Sequence, residues 1–281
     1  MKRIAIIVLG VGIFVLIQFT PSFAGPPLNN LEGVGGIAFN PLAYTAGTGF
    51  DHDAGKHDGL SYQDVISKPQ VGIWYVSLSD VSVDWTAIGI AETFFKRLEV
   101  SYGYEAVAPD GKNIHKNNIG GKLLLLNENS NGLDFVPAVS VGTIYKKTSG
   151  AAEGVDSSDF DYYLVATKLI TSLPAPVLIS AGVLSTKELV TGVFGFDKDR
   201  DQTFFGNIDV IPVPQLAAGF EYKQGARFDD FKNASYYDIH TAWFVNKSLT
   251  LVAAYVNAGD EKSISRVGLG DGIVLSGQYA F

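Results

Sequence analysis

No cysteine occurs in the 281 residues, so no disulfide staples the chain and no thiol chemistry is open to it. A basic excess is also missing. Lys and Arg total 21 against 29 Asp and Glu, a formal net charge of -8. An acidic chain without a basic stripe argues against nucleic acid as a partner. Beyond the first two dozen residues no apolar run reaches the length of a helical membrane span. What is abundant is glycine, at 31 residues, and aromatic side chains, at 12%. Both suit a sheet that must curve and carry aromatic girdles.

The N-terminus reads as an export signal. Lys2 and Arg3 precede an uncharged stretch from Ile4 to Phe19, then Pro21-Ser22-Phe23-Ala24. A charged, an apolar and a small-x-small region in that order predict cleavage after Ala24, with an uncleaved inner-membrane anchor as the competing reading. No cysteine follows the apolar run, which excludes a lipid-anchored lipoprotein. Taking Lys2 and Arg3 from the 21 basic residues leaves 19 against 29 acidic, so the mature chain carries about -10.

The C-terminus alternates. Ile273, Leu275, Gly277, Tyr279 and Phe281 share one face of a strand, and Val274, Ser276, Gln278 and Ala280 the other. A period of two with an apolar, aromatic-ended face is what a lipid-facing strand requires. The ending on Tyr279 and Phe281 resembles the C-terminal signal by which outer-membrane barrels are recognised for insertion. That resemblance implies the barrel-assembly machinery as a partner, beside outer-membrane lipid and lipopolysaccharide. Similar alternation recurs upstream and predicts twelve strands, near 70–79, 82–91, 98–107, 117–127, 133–145, 159–170, 177–186, 202–211, 215–223, 235–245, 248–258 and 271–281. Tight connections at 93–97, 128–132, 171–176, 211–214 and 246–247 alternate with longer polar ones near 108–116, 146–158, 187–201, 224–234 and 258–270. Short turns on one side and long loops on the other mark a transmembrane barrel with its long loops outside the cell. Tyr145, Tyr162, Tyr163, Tyr236 and Tyr237 fall toward the outer ends of strands, and Phe94, Phe95, Trp243, Tyr279 and Phe281 toward the inner, as two girdles would. The expected organisation is a signal over 1–24, an N-terminal segment over 25–69, and a twelve-stranded antiparallel barrel over 70–281.

The segment 25–69 does not fit the strand pattern. Pro41 and the glycines of Leu31–Gly47 would break a central strand or a long helix. Its apolar residues, Phe39 and Tyr44 among them with Asn40 and Pro41, have reason to hide, which favours a lumenal plug over a periplasmic tail or a thirteenth strand. Leu31–Gly47, with its run Phe39-Asn40-Pro41-Leu42-Ala43-Tyr44, and Asp84–Glu105 resemble an uncharacterised family of Gram-negative outer-membrane, porin-like barrels. The resemblance spans Leu28 to Phe281, implies a bacterial outer-membrane location and brings no substrate with it. Asn40-Pro41 is also similar to the N-terminal plug motif of the long-chain fatty-acid transport barrels.

Candidate chemistry is sparse. Asp51, His52, Asp53, His57 and Asp58 are ligand types in a glycine-rich loop without a known site spacing, and read as a solvated loop rather than a metal site. Asp197, Asp199 and Asp201 open like a calcium loop, but Gln202 stands where glycine should follow and Ile208 where the bidentate glutamate should. They read as an acidic external loop, at most bridging divalent ions to lipopolysaccharide phosphates. Asp238 and His240 sit one pleat apart, yet no G-x-S-x-G accompanies them. The expectation is therefore no catalytic residue, no metal, no cofactor and no enzymatic activity. Alternation points Glu99, Glu105, Asp209, Glu221 and Asp238, with Asp84, into the lumen, opposite Lys122, Lys168, Lys223 and His240. A twelve-strand lumen is narrow. The expected function is passage of a small solute, hydrophobic ones included; the alternative is a non-conducting adhesive barrel acting through its external loops.

Overall fold

Alternation of inward and outward side chains builds nearly every element. A computed structural model describes residues 27–47, 65–78, 82–109, 113–150, 153–229, 231–259 and 268–281. The expected signal over 1–24 and the acidic, histidine-bearing stretch 51–58 lie outside the described residues. Twelve strands follow in chain order: β1 (Gln70–Leu78), β2 (Val83–Phe94), β3 (Leu98–Ala108), β4 (Ile114–Leu126), β5 (Ala138–Ser149), β6 (Ser158–Ile170), β7 (Val177–Glu188), β8 (Phe196–Val213), β9 (Leu216–Lys223), β10 (Tyr236–Phe244), β11 (Leu249–Asn257) and β12 (Asp271–Ala280). Each pairs antiparallel with its sequence neighbours, and β1 pairs with β12 from Gln70↔Ala280 to Leu78↔Gly272. Closure leaves no open edge, so every strand's backbone groups find partners without water, as lipid demands.

The outer wall is apolar. Ile73, Ile88, Ile119, Val183, Phe204 and Ile239 all point outward and are exposed. Such a band would be an aggregation hazard in water and is a fitted surface in a bilayer. Arginine in place of Leu275, midway along β12, is expected to cost about 2–4 kcal/mol in lipid. Chemical unfolding in vesicles checks this, and an unaffected variant would remove that face from the bilayer.

Connections of two to eleven residues join strands at one end, and those at the other include 150–157, 224–235 and 258–270. Three expected details are corrected. The strand expected from 133 starts at Ala138, because Ser130–Gly132 forms a 3-10 turn with Asn129 and Asn131 left-handed, and Pro137 offers no ladder N–H. The loop expected over 187–201 shrinks to 189–195, since β7 and β8 both run on past the expected ends. Tyr163 and Tyr236, expected in the outer girdle, are buried on the lumen side, while Tyr162 faces outward.

Candidate functional site

The interior is not empty. Residues 27–47 lie inside the barrel and almost all are buried. The Leu28 N–H donates to Oε1 of Gln70 at the start of β1 (3.3 Å), and the Ala46 carbonyl accepts from Thr93 near the end of β2 (2.6 Å). Both described ends of the segment therefore lie at the short-turn end. Between them it makes its own turns: Asn30 Oδ1 accepts from the N–H groups of Glu32 and Val34, and Gly36 bridges to Pro41.

Three glycines make the seat. Gly72, Gly89 and Gly103 face inward in register on β1, β2 and β3. A Cβ on Gly89 would stand 2.5 Å from the Gly33 Cα, and one on Gly103 2.3 Å from the Glu32 carbonyl oxygen. Gly33 itself is left-handed (φ 89°), and its own Cβ would meet the Tyr102 carbonyl at 2.6 Å. Backbone lies directly on backbone here, which only glycine permits.

Buried charges clamp the segment on opposite walls. Glu221 on β9 accepts from three successive main-chain N–H groups, Ala38 (3.2 Å), Phe39 (3.1 Å) and Asn40 (2.9 Å). Glu99 on β3 accepts from Gly35 (2.9 Å) and Ala46 (2.8 Å). Lys122 on β4, 2.9 Å from Glu99, donates to the carbonyls of Gly35, Leu42 and Tyr44. Thr167 and Ser140 take the Ala43 N–H and carbonyl. Charge-assisted bonds in a dry interior are the strong ones, and their loss leaves a buried ion unpaired.

A second charged group ties the far end of the segment. Glu32 meets Lys116 (2.9 Å) and Lys146 (2.5 Å), which also face Glu105, Asp161 and Glu188, and Lys223 meets Glu188 at 2.6 Å. Burial by itself would raise the Glu32 carboxyl, but Lys116, Lys146 and Lys223 outweigh it and bring the group from 4.5 down to about 2. A lowered folded value means stability that is whole above 4.5 and drains away as pH falls toward about 2. Protection of residues 27–47 from protease is expected to weaken across that window, and Glu32→Gln to flatten the response. An identical acid limb in that variant would show that Glu32 does not anchor the segment.

The long-loop mouth is covered by its own loops. Leu189, Val190 and Val193 are buried, as are Ala226, Phe228 and Ala234. Lys116 holds the Thr191 carbonyl (2.7 Å) and Thr148 the Gly192 carbonyl (2.6 Å). Val190 and Thr191 are left-handed (φ 49° and 55°), a strained state for β-branched residues that these bonds hold in place.

The lumen residues expected from sequence fall into this network. Glu99, Glu105, Lys122, Asp209, Glu221, Asp238 and His240 are all buried. Asn118 donates to Glu105, and the His240 ring lies between Asp238 (Nδ1, 2.6 Å) and Asp209 (Nε2, 2.7 Å). Lys168 meets Glu128 at the short-turn rim. Phe39 packs edge-on against Tyr236, Asn40 donates to the Tyr222 carbonyl, Pro41 closes the bridge to Gly36, and Tyr44 donates to Glu128 (2.6 Å). Tyr279 and Phe281 point outward with their rings 5.2 Å apart. Asp84 is corrected: it is exposed on the outer face and accepts from Tyr75, because Val83, Trp85 and Ala87 take the inward positions of β2. Asp197, Asp199 and Asp201 belong to β8, not to a loop, and Asp201 accepts from the Arg227 N–H. The glycine seat and the Lys116, Lys146, Asp161, Glu188 group were missed in sequence.

The cavity beside the segment, lined by Leu28, Ile37, Trp74, Ile211, Phe244 and others, measures about 30 Å³, little more than one water needs.

A closed twelve-strand barrel with an apolar outer wall, its first and last strands meeting at Gln70 and Ala280 on the short-turn side, and a lumen occupied by residues 27–47 has the architecture of an outer-membrane barrel. The chain belongs to the family described as protein of unknown function (DUF3034), whose sequence profile matches residues 25–277. No curated protein matches the sequence. Among solved structures, the KdgM porin is similar at a TM-score of 0.52 and 12% identity, covering 75% of this chain and 99% of its own. The NanC porin is similar at 0.50 and 10%, again over 75% and 99%. Outer membrane phospholipase A from Escherichia coli also matches, at 0.43 and 9%, over 83% of this chain and 96% of its own. On that finding the expectation of a chain without enzymatic activity is withdrawn, since an enzyme stands among the matching barrels.

Proposed function

We propose that this barrel is a gated outer-membrane channel for a small solute, closed from within by residues 27–47. In this reading 1–24 is a removed signal, 25–69 carries the plug, and 70–281 is the conducting wall, inserted through the Tyr279–Phe281 ending into lipid and lipopolysaccharide. One observation carries it: the segment is held by reversible polar bonds from Glu99, Lys122 and Glu221 on a seat of glycines, with no covalent tie. The porin fold of the two similar structures is consistent with a passage once the lumen is cleared. Solutes with apolar character suit the lumen, because Leu169, Leu178, Ile211, Ala217 and Val252 form an apolar lining beside the segment. Leu189, Val190, Val193, Ala226, Phe228 and Ala234 of the loops 189–195 and 224–235 are buried instead of projecting, which favours a gate over an adhesive surface.

The test is single-channel conductance of the mature protein in a planar bilayer, beside a chain lacking 25–69. A sharp rise on deletion is the expected result. Silence from both would refute a channel and move the function to the outer face or the loops.

A further inference from the structure

The grip on residues 35–46 is mostly on main chain, with the Asn40 and Tyr44 side chains adding bonds to the Tyr222 carbonyl and to Glu128. Glu221 and Glu99 take five N–H groups between them, and Lys122 takes three carbonyls. Thr167 and Ser140 take both groups of Ala43, and Gln278 takes the Asn29 N–H at 2.7 Å. The side chains of Ile37 and Leu42 meanwhile sink into an apolar cluster whose walls are Leu169, Leu178, Ile211 and Ala217. A wall that bonds backbone and buries apolar side chains favours peptide over other chemistries, and reads sequence only at positions such as Asn40 and Tyr44. When the segment withdraws, buried carboxylates and an ammonium are left needing donors and acceptors, and leaving them unmet is costly. A peptide supplies N–H, C=O and apolar groups together; a saccharide supplies hydroxyls and leaves the apolar walls bare.

We infer that the lumen is a binding site for short apolar peptides, with residues 35–46 as a built-in occupant that such a solute displaces. This rests on the channel reading only for the idea that the bound peptide then crosses.

The absence of cysteine makes the experiment clean. In the full chain, Ala43→Cys and, separately, Ala46→Cys place a single thiol at positions that are 0% and 3% exposed. The rate of modification by a methanethiosulfonate reagent then reports withdrawal. Glu221→Gln in either background serves as the reference for a loosened clamp and is expected to raise the rate about tenfold or more. Terminally blocked Leu/Ala peptides should raise the rate saturably, several-fold, at both positions, and neutral oligosaccharides and oligogalacturonate should not. Three outcomes overturn the proposal: no effect of peptides where Glu221→Gln does accelerate, an equal effect of saccharides, or acceleration only by a peptide copying residues 36–46. Failure of Glu221→Gln itself to accelerate would overturn it too, by showing that the clamp does not hold the segment. Because labelling needs no current, peptide-driven acceleration in a barrel that never conducts would sink the channel reading and leave the peptide site standing.

Discussion

Valine in place of Gly103 is expected to expel residues 29–33 from the wall while the barrel itself remains folded. The Cβ alone would come within 2.3 Å of the Glu32 carbonyl oxygen, a main-chain atom, so the segment's backbone itself must move. Overpacking of this kind costs about 1–3 kcal/mol or more, which moves a docking equilibrium roughly tenfold to a hundredfold. The strand does not suffer, since a β-branched residue fits a pleated surface better than glycine does. The variant should conduct, or conduct more, in a planar bilayer, and residues 27–47 should become protease-sensitive. Gly89→Val should behave alike through its 2.5 Å approach to Gly33. Wild-type conductance and protection in both variants would mean that the seat is not where the segment rests.

Glu221→Ala is expected to be the most disruptive single change in the clamp. Three N–H groups, those of Ala38, Phe39 and Asn40, lose one shared acceptor. A buried N–H left without an acceptor costs about 1–3 kcal/mol. Asp238 lies directly across from Glu221 on β10, with its Oδ1 against His240 Nδ1, and makes none of these three bonds. Hydrogen exchange read by mass spectrometry should show deprotection at 38–40 well ahead of the strands. Uniform deprotection would instead mean that Glu221 supports the barrel wall, and unchanged exchange that it supports neither.

How much of this was legible beforehand depends on which face a residue occupies. The lipid-facing stripes declare themselves, since Ile273, Leu275 and Tyr279 must alternate with smaller or polar groups to survive in a bilayer. That is why twelve strands could be placed, several within a residue of their true ends. The lumen is less demanding. In β4 the residues Ile114-His115-Lys116 fall in the polar stretch read as the loop 108–116, yet they are strand, with Lys116 turned inward. Lys146 and Glu188 were given to loops for the same reason. The glycine seat was invisible for another: Gly72, Gly89 and Gly103 are far apart in sequence, and only pairing register brings them side by side. Trp85 and Tyr163 face inward because here the lumen has a core of its own, which alternation alone does not announce.

That Leu28 and Ala46, at the two ends of the inserted segment, both lie at the short-turn opening has a mechanical consequence. A chain threaded through a closed wall could leave only by passing an end through it. A finger pushed in and folded back leaves as a zip opens, one bond after another from either root, so no single step has to break Glu99, Lys122 and Glu221 together. Traction on the chain from the periplasm would start at Leu28 or Ala46, where the bonds are with Gln70 and Thr93. Under the gated-channel proposal, a pull from the periplasmic side would therefore undo these bonds one after another from the ends at Leu28 and Ala46.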